Sequence, residues 1–162
     1  MKALLFWTFA AFVAFTSVSP AQSAEKNEGA DSTKVSSARE RLIGAWYLAW
    51  MEEPGPDGKL TRITHRKGML IYARDGHMSV QIMFRKSESA LSNDYVKDGY
   101  EASFGSYDVN EEAHKLTHHV QGSITPGLVG KDLTREFQFS NGRLIIKSSR
   151  PDEHWSVTWE HY

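Results

Sequence analysis

The chain contains no cysteine. Disulfides and a lipid-modified N-terminal cysteine are therefore excluded, and folding must rest on core burial alone. Neither sign of charge dominates: 19 Lys and Arg stand against 20 Asp and Glu, for a net charge of −1. This leaves no footprint for nucleic acid or an anionic membrane. G-x-S-x-G, the phosphate-binding P-loop and G-x-G-x-x-G are all missing, which removes the easily read hydrolase, nucleotide and dinucleotide classes. Past the first two dozen residues there is no long apolar run. What remains, 40% hydrophobic and 24% charged over 162 residues, is the profile of one ordinary globular domain.

The exception at the N-terminus has its own meaning. Lys2 is followed by an apolar run, Ala3 to Val18, and then by small residues in SPAQSAE. That order predicts a secretory signal peptide over residues 1–23. The run is short of the roughly 20 apolar residues of a membrane span, so no span is expected after signal cleavage. Periplasm or the outside of the cell is the expected address. Removing Lys2 takes the cations from 19 to 18 against 20 anions, so the charge stays near neutral. Residues 24–41 are almost without large apolar groups and read as a flexible linker. Near its end, Ser37 and Glu40 have the spacing of a capping box, which predicts a helical turn over Ala38 to Leu42.

From Leu42 to Tyr162 the hydrophobic period is two, with turn residues every ten or so positions. Strands are expected at Leu42–Met51, Lys59–Thr64, Met69–Ala73, His77–Phe84, Tyr100–Val109, His114–Ser123, Lys131–Phe139, Arg143–Ser149 and His154–Tyr162. Asp75-Gly76 and Asn141-Gly142 read as tight hairpins of the type that needs positive φ. Arg85 to Gly99 has no strand period and reads as a long loop. Consecutive antiparallel strands with a single short helix are best satisfied by closure, which removes exposed edges. The expected fold is all-β: an antiparallel up-and-down barrel of 8–10 strands with a short N-terminal helical turn over 42–162, wide enough for one small ligand. A two-sheet sandwich is the competing arrangement.

Gly44-Ala45-Trp46 resembles the G-x-W of lipocalins. The wider set LIGAWYL, GMLIYARDGHMSVQIM, FGSYDV, LTHHVQGSITPGLVG and VTWEH resembles, in order and spacing, the lipocalin-like domain proteins of bacteria and fungi, over roughly Leu42 to His161. The resemblance implies a calycin-type barrel and assigns no activity. Two positions depart from it: Gln121 stands where members often have an acid, and Gly127-Leu128 where they have Asn-Trp. Proton transfer by that acid is not open to this chain.

The seven histidines offer no strand chelate of the His-x-His form. His118 and His119 point to opposite faces. His114 and His118 share a face but lie about 13 Å apart at roughly 3.3 Å per residue. No metal and no cofactor is assigned. Alternation places Leu116, His118 and Val120 inside and Thr117, His119 and Gln121 outside. By the same rule Met78, Val80, Ile82, Phe137, Phe139, Leu144, Ile146, Trp155, Val157 and Trp159 face inward, and Arg135 shares their parity. A buried imidazole and a buried guanidinium both need partners.

Two readings of His118 and Arg135, with hydroxyls from Tyr72 or Tyr107, stay open: a structural role, either as a satisfied network or, for Arg135, as a guanidinium stacked on Trp46 across the barrel end, and a set that orients a ligand. A single β-bulge would invert the faces and bring Gln81 and His119 to the cavity instead. The candidate ligand-binding residues are therefore His118, Arg135, Tyr72, Tyr107, Gln81 and His119. The expected partner is a small apolar or amphipathic molecule; the oligomeric state is not encoded legibly. Three functions follow: an exported carrier or sensor, a cofactor-independent isomerase, cyclase or hydrolase using a barrel histidine as general base, or an envelope interaction protein with a filled barrel.

Overall fold

A computed structural model describes residues 36–84 and 94–162. The expected signal peptide, most of the expected linker and the first part of the expected loop 85–99 lie outside the described residues. Helix α1 (Ala38–Leu42) starts with a complete capping box. The Ser37 hydroxyl accepts from the Glu40 amide at 3.1 Å, and the Glu40 carboxylate accepts from the Ser37 amide at 3.1 Å, so two otherwise orphaned donors are satisfied.

Nine strands follow among the described residues: β1 (Gly44–Pro54), β2 (Leu60–Ile63), β3 (Lys67–Tyr72), β4 (His77–Met83), β5 (Tyr100–Asn110), β6 (Lys115–Ser123), β7 (Asp132–Ser140), β8 (Arg143–Ser148) and β9 (Ser156–His161). Each neighbour pair is antiparallel, and β9 returns to β1 from Trp46↔His161 to Glu52↔Ser156. An eight-stranded barrel, β1 and β3 to β9, is thereby closed. β2 continues the line of β3 along the same edge of β1, pairing Met51–Pro54. That pairing carries β1 to Pro54, three residues beyond the expected end.

The hairpins differ in detail. Asn141 and Gly142 both have positive φ, 50° and 75°, as a two-residue type I′ turn between Ser140 and Arg143 requires. At Asp75-Gly76 only the glycine does, with φ 92°. The amides of Ala73 and Gly76 bond to His77 O and Ala73 O respectively, so this loop has three residues rather than two.

Two bulges interrupt the ladder, an extra Ala49 in β1 against β9 and an extra Gln121 in β6 against β5. Ahead of Gln121 the parity of β6 is undisturbed. Leu116 and Val120 are buried, as are Met78, Val80, Ile82, Phe137, Leu144, Ile146, Val157 and Trp159, while Phe139 and Trp155 pack against the core from half-buried positions. Full burial of a side chain of this size contributes roughly 1.5–3 kcal/mol, and with no disulfide this is what holds the barrel.

The α1 end is closed. Trp46 is buried and its indole N–H donates to Leu42 O at 2.8 Å. The ring of His161 stacks on it at 3.6 Å. Gly44, at φ 138°, is required here because a Cβ would meet that imidazole at 2.7 Å. The Arg41 guanidinium lies over Phe139 at 3.9 Å. Arg135 takes no part in this closure, contrary to the structural reading that stacked it on Trp46.

Candidate functional site

The strands that leave the closed end converge at the other end on a cavity of about 380 Å³. Its walls are chiefly apolar, with Leu70, Val80, Ile82, Leu133, Ile146 and Val157 as the main surfaces; Leu128, from the 3-10 turn Pro126–Leu128, also faces it. His118, Arg135, Glu53, Glu101, Ser103, Tyr95 and His154 supply the polar lining.

β6 delivers His118 and β7 delivers Arg135 to this space, each on the inward parity of its strand. Nε2 of His118 lies 2.7 Å from the Tyr72 hydroxyl. Burial, followed by the charge of Arg135, pulls the imidazole down to about 3, and burial raises the Tyr72 phenol. Both are neutral at ordinary pH. Tyr107 is packed against Tyr72, ring to ring at 4.7 Å, and donates to Ala73 O at 3.1 Å. It supports Tyr72 and does not line the cavity.

The Arg135 guanidinium is 7% exposed as a residue. Nη1 donates to Thr134 O at 3.1 Å, and the rings of Tyr95 and Trp155 lie each 5.1 Å away. None of the ion pairs among the described residues uses it.

Gln81 and His119 are on the outer face: the pairing of β4 runs without a register shift, and the bulge in β6 comes after His119. Gln81 is exposed and donates to Ser79. His119 is clamped between Asp132, 2.6 Å from Nδ1, and Asp108, 3.0 Å from Nε2. Gln121, the bulge residue and one of the two positions that depart from the family resemblance, is also exposed and does not face the cavity.

The sequence reading passed over Glu101. It lies on β5 at two-residue steps from Tyr107 through Gly105 and Ser103, so the alternation already pointed it inward. Burial, opposed in part by Arg135, pushes its carboxyl up to about 7. Also missed was Glu153, which accepts from Ser148 at 2.5 Å, Tyr95 at 2.9 Å and the Trp155 indole at 3.1 Å. These bonds depress its pKa despite its burial and fix both rings that flank Arg135. The indole N–H of Trp159, in the cavity wall, is buried with no partner among the described residues.

No helix among the described residues is long and apolar enough to cross a membrane. No curated protein sequence matches the chain. Among solved structures, the crystal structure of a mutant of the fluorescent protein UnaG is similar over 76% of this chain and 97% of that one, with 14% identity and a TM-score of 0.39. The sequence profile described as "Lipocalin-like domain" matches residues 43–161. With a closed antiparallel barrel spanning the same residues, the chain belongs to the lipocalin-like domain family.

Proposed function

We propose that this protein is an exported carrier or sensor that binds a small, mostly apolar molecule inside its barrel. The observation that supports this best is the cavity itself: about 380 Å³, walled by aliphatic side chains at the end away from α1. That volume falls in the range of small-molecule pockets, roughly 300–1,000 Å³. A barrel filled by its own side chains, as the interaction-protein reading requires, is not supported by such a space. Export rests on the N-terminal segment, which has the charge, apolar run and small residues of a signal peptide.

The enzymatic reading with a histidine base draws less support. An imidazole pulled down to about 3 and bonded to a phenol is a weak base at neutral pH. His119, the more basic of the pair, is outside.

Titration of the protein lacking residues 1–23 with the neutral fluorescent dye N-phenylnaphthylamine tests the reading. Saturable fluorescence enhancement, competed by decanol, is expected. No enhancement, together with no co-purified small molecule by native mass spectrometry, would overturn it.

A further inference from the structure

Arg135 and Glu101, of opposite formal charge, face the cavity, which Glu53 also lines, without meeting each other. Arg135 donates to its neighbour's carbonyl and has two aromatic rings beside it, one of them carrying the Tyr95 hydroxyl. Glu101 takes part in no hydrogen bond or ion pair among the described residues, although both side chains line the same space. A guanidinium in mostly apolar surroundings is costly unless an anion compensates it, and its planar fork of N–H groups matches a carboxylate. Glu101, which lines the same space, forms no ion pair with it. The unpartnered Trp159 indole N–H adds a further donor to the wall, and no carboxylate among the described residues pairs with either donor.

Resting on the reading that the barrel holds a small molecule, we infer that its ligand is an amphipathic monoanion, with a carboxylate seated on Arg135, an apolar body along the aliphatic walls, and Glu101 protonated in the complex. The protonated carboxyl can donate to the ligand's carboxylate, whereas an ionised one would repel it. Glu101 in these surroundings titrates at about 7, and an anion beside it moves that value upward. Binding therefore takes up a proton, and affinity rises as pH falls through neutrality.

The other charged and titratable groups around this point do not reverse the sign. Glu53, from the end of β1, is engaged by Arg66 at 2.5 Å. His118 from β6 is held neutral with Tyr72 from β3 behind it. Tyr95 has a raised pKa and donates to Glu153. His154, from the connection before β9, lines the same space and is exposed.

The experiment compares decanoate with decanol as competitors of N-phenylnaphthylamine, at about pH 6 and about pH 8, where decanoate is ionised throughout. The readout is the ratio of the two affinities within each protein, so that changes in overall cavity affinity cancel. The wild type is expected to prefer decanoate by about 10-fold or more at the lower pH, the scale of a charge-assisted contact, and by several-fold less at the higher. Arg135→Gln removes the preference and Arg135→Lys restores part of it. Glu101→Gln retains the preference and loses its pH dependence. Dye and decanol binding without a decanoate preference overturns the inference and leaves the binding barrel standing. So does a preference that survives Arg135→Gln, or one that grows with pH. Failure of every probe to bind overturns both.

Discussion

Tyr72 and His118 hold each other inside the barrel: the phenol oxygen lies 2.7 Å from Nε2, between the fully buried ring of Tyr107 and the cavity. The pair has a consequence for acid stability. His118 protonates at about 3 when folded and at its ordinary value of 6.5 when unfolded. Between those values the unfolded chain binds more protons, so the contribution of the neutral imidazole is present above 6.5 and is lost as pH falls toward 3. The loss is on the order of 3 kcal/mol. Glu101 acts in the opposite sense. Its folded value of about 7 exceeds its ordinary 4.5, so its contribution is complete below 4.5 and is lost as pH rises to 7. The two oppose each other between 4.5 and 6.5. His118→Gln is expected to flatten the acid limb below about 4.5 and to uncover a decline between 4.5 and 6.5, and Glu101→Gln to remove the decline above 6.5, in urea unfolding at a series of pH values.

The partition of these residues between interior and exterior was legible in the sequence because alternation is a local property. His118 and Arg135 share their strands with Leu116, Val120, Phe137 and other inward apolar residues, and no partner strand is needed to see it. The bulges at Ala49 and Gln121 were not legible, since an extra residue exists only relative to the strand it faces. Their positions decide what the cavity contains. A bulge five residues earlier in β6 would have brought His119 inside. Glu101 was readable from Tyr107 by parity, but a lone acid beside a turn looks like solvated charge until its burial is known. Glu153 belongs to the same class: its partners come from β8, from the connection before β9 and from Tyr95.

His119 provides a control for His118. Hydrogen bonds that its ring donates to Asp132 and then to Asp108 raise its pKa above 6.5, so the stabilisation from this exposed clamp is complete below 6.5 and is lost as pH rises through the folded value. In an NMR titration one imidazole of the adjacent pair is expected to titrate above the ordinary histidine range and the other to show no transition down to about pH 4. His119→Gln abolishes the first curve, weakens the protein modestly at low pH only, and leaves dye binding unchanged.

Gly105 is the position at which β5 can least tolerate a side chain. A Cβ there would overlap His119 O and lie 3.0 Å from the Gln121 amide, both backbone atoms that the bulge has pressed against β5. Gly105→Ala must therefore separate the two strands where they supply His118, Ser103 and Glu101 to the cavity. Loss of several kcal/mol, or failure to fold, is expected. Gly142→Ala, in the hairpin, meets no atom within 4 Å but has φ 75°, so its cost is confined to backbone strain of about 1 kcal/mol. Chemical denaturation of the two variants side by side distinguishes steric exclusion from conformational strain.

Glu53 and Arg66 couple the stability of the rim to the chemistry of the site. The Arg66 guanidinium is 4% exposed, with Nη1 2.5 Å from Glu53 Oε1 and 3.4 Å from Met51 Sδ, and it lies over Phe84 at 4.2 Å. Glu53→Gln takes away the carboxylate that compensates this charge. Because Glu53 itself reaches solvent, the expected loss is about 2 kcal/mol, below the roughly 3–5 kcal/mol of a fully buried pair. The same carboxylate helps to hold Glu101 up, while Arg66 draws it down. Removing Glu53 takes away its raising influence, so Glu101 should ionise at lower pH. The pH at which the decanoate preference fades then moves downward in Glu53→Gln, with the preference at acid pH retained. An unchanged midpoint would mean that the two carboxylates do not sense each other across the mouth of the barrel.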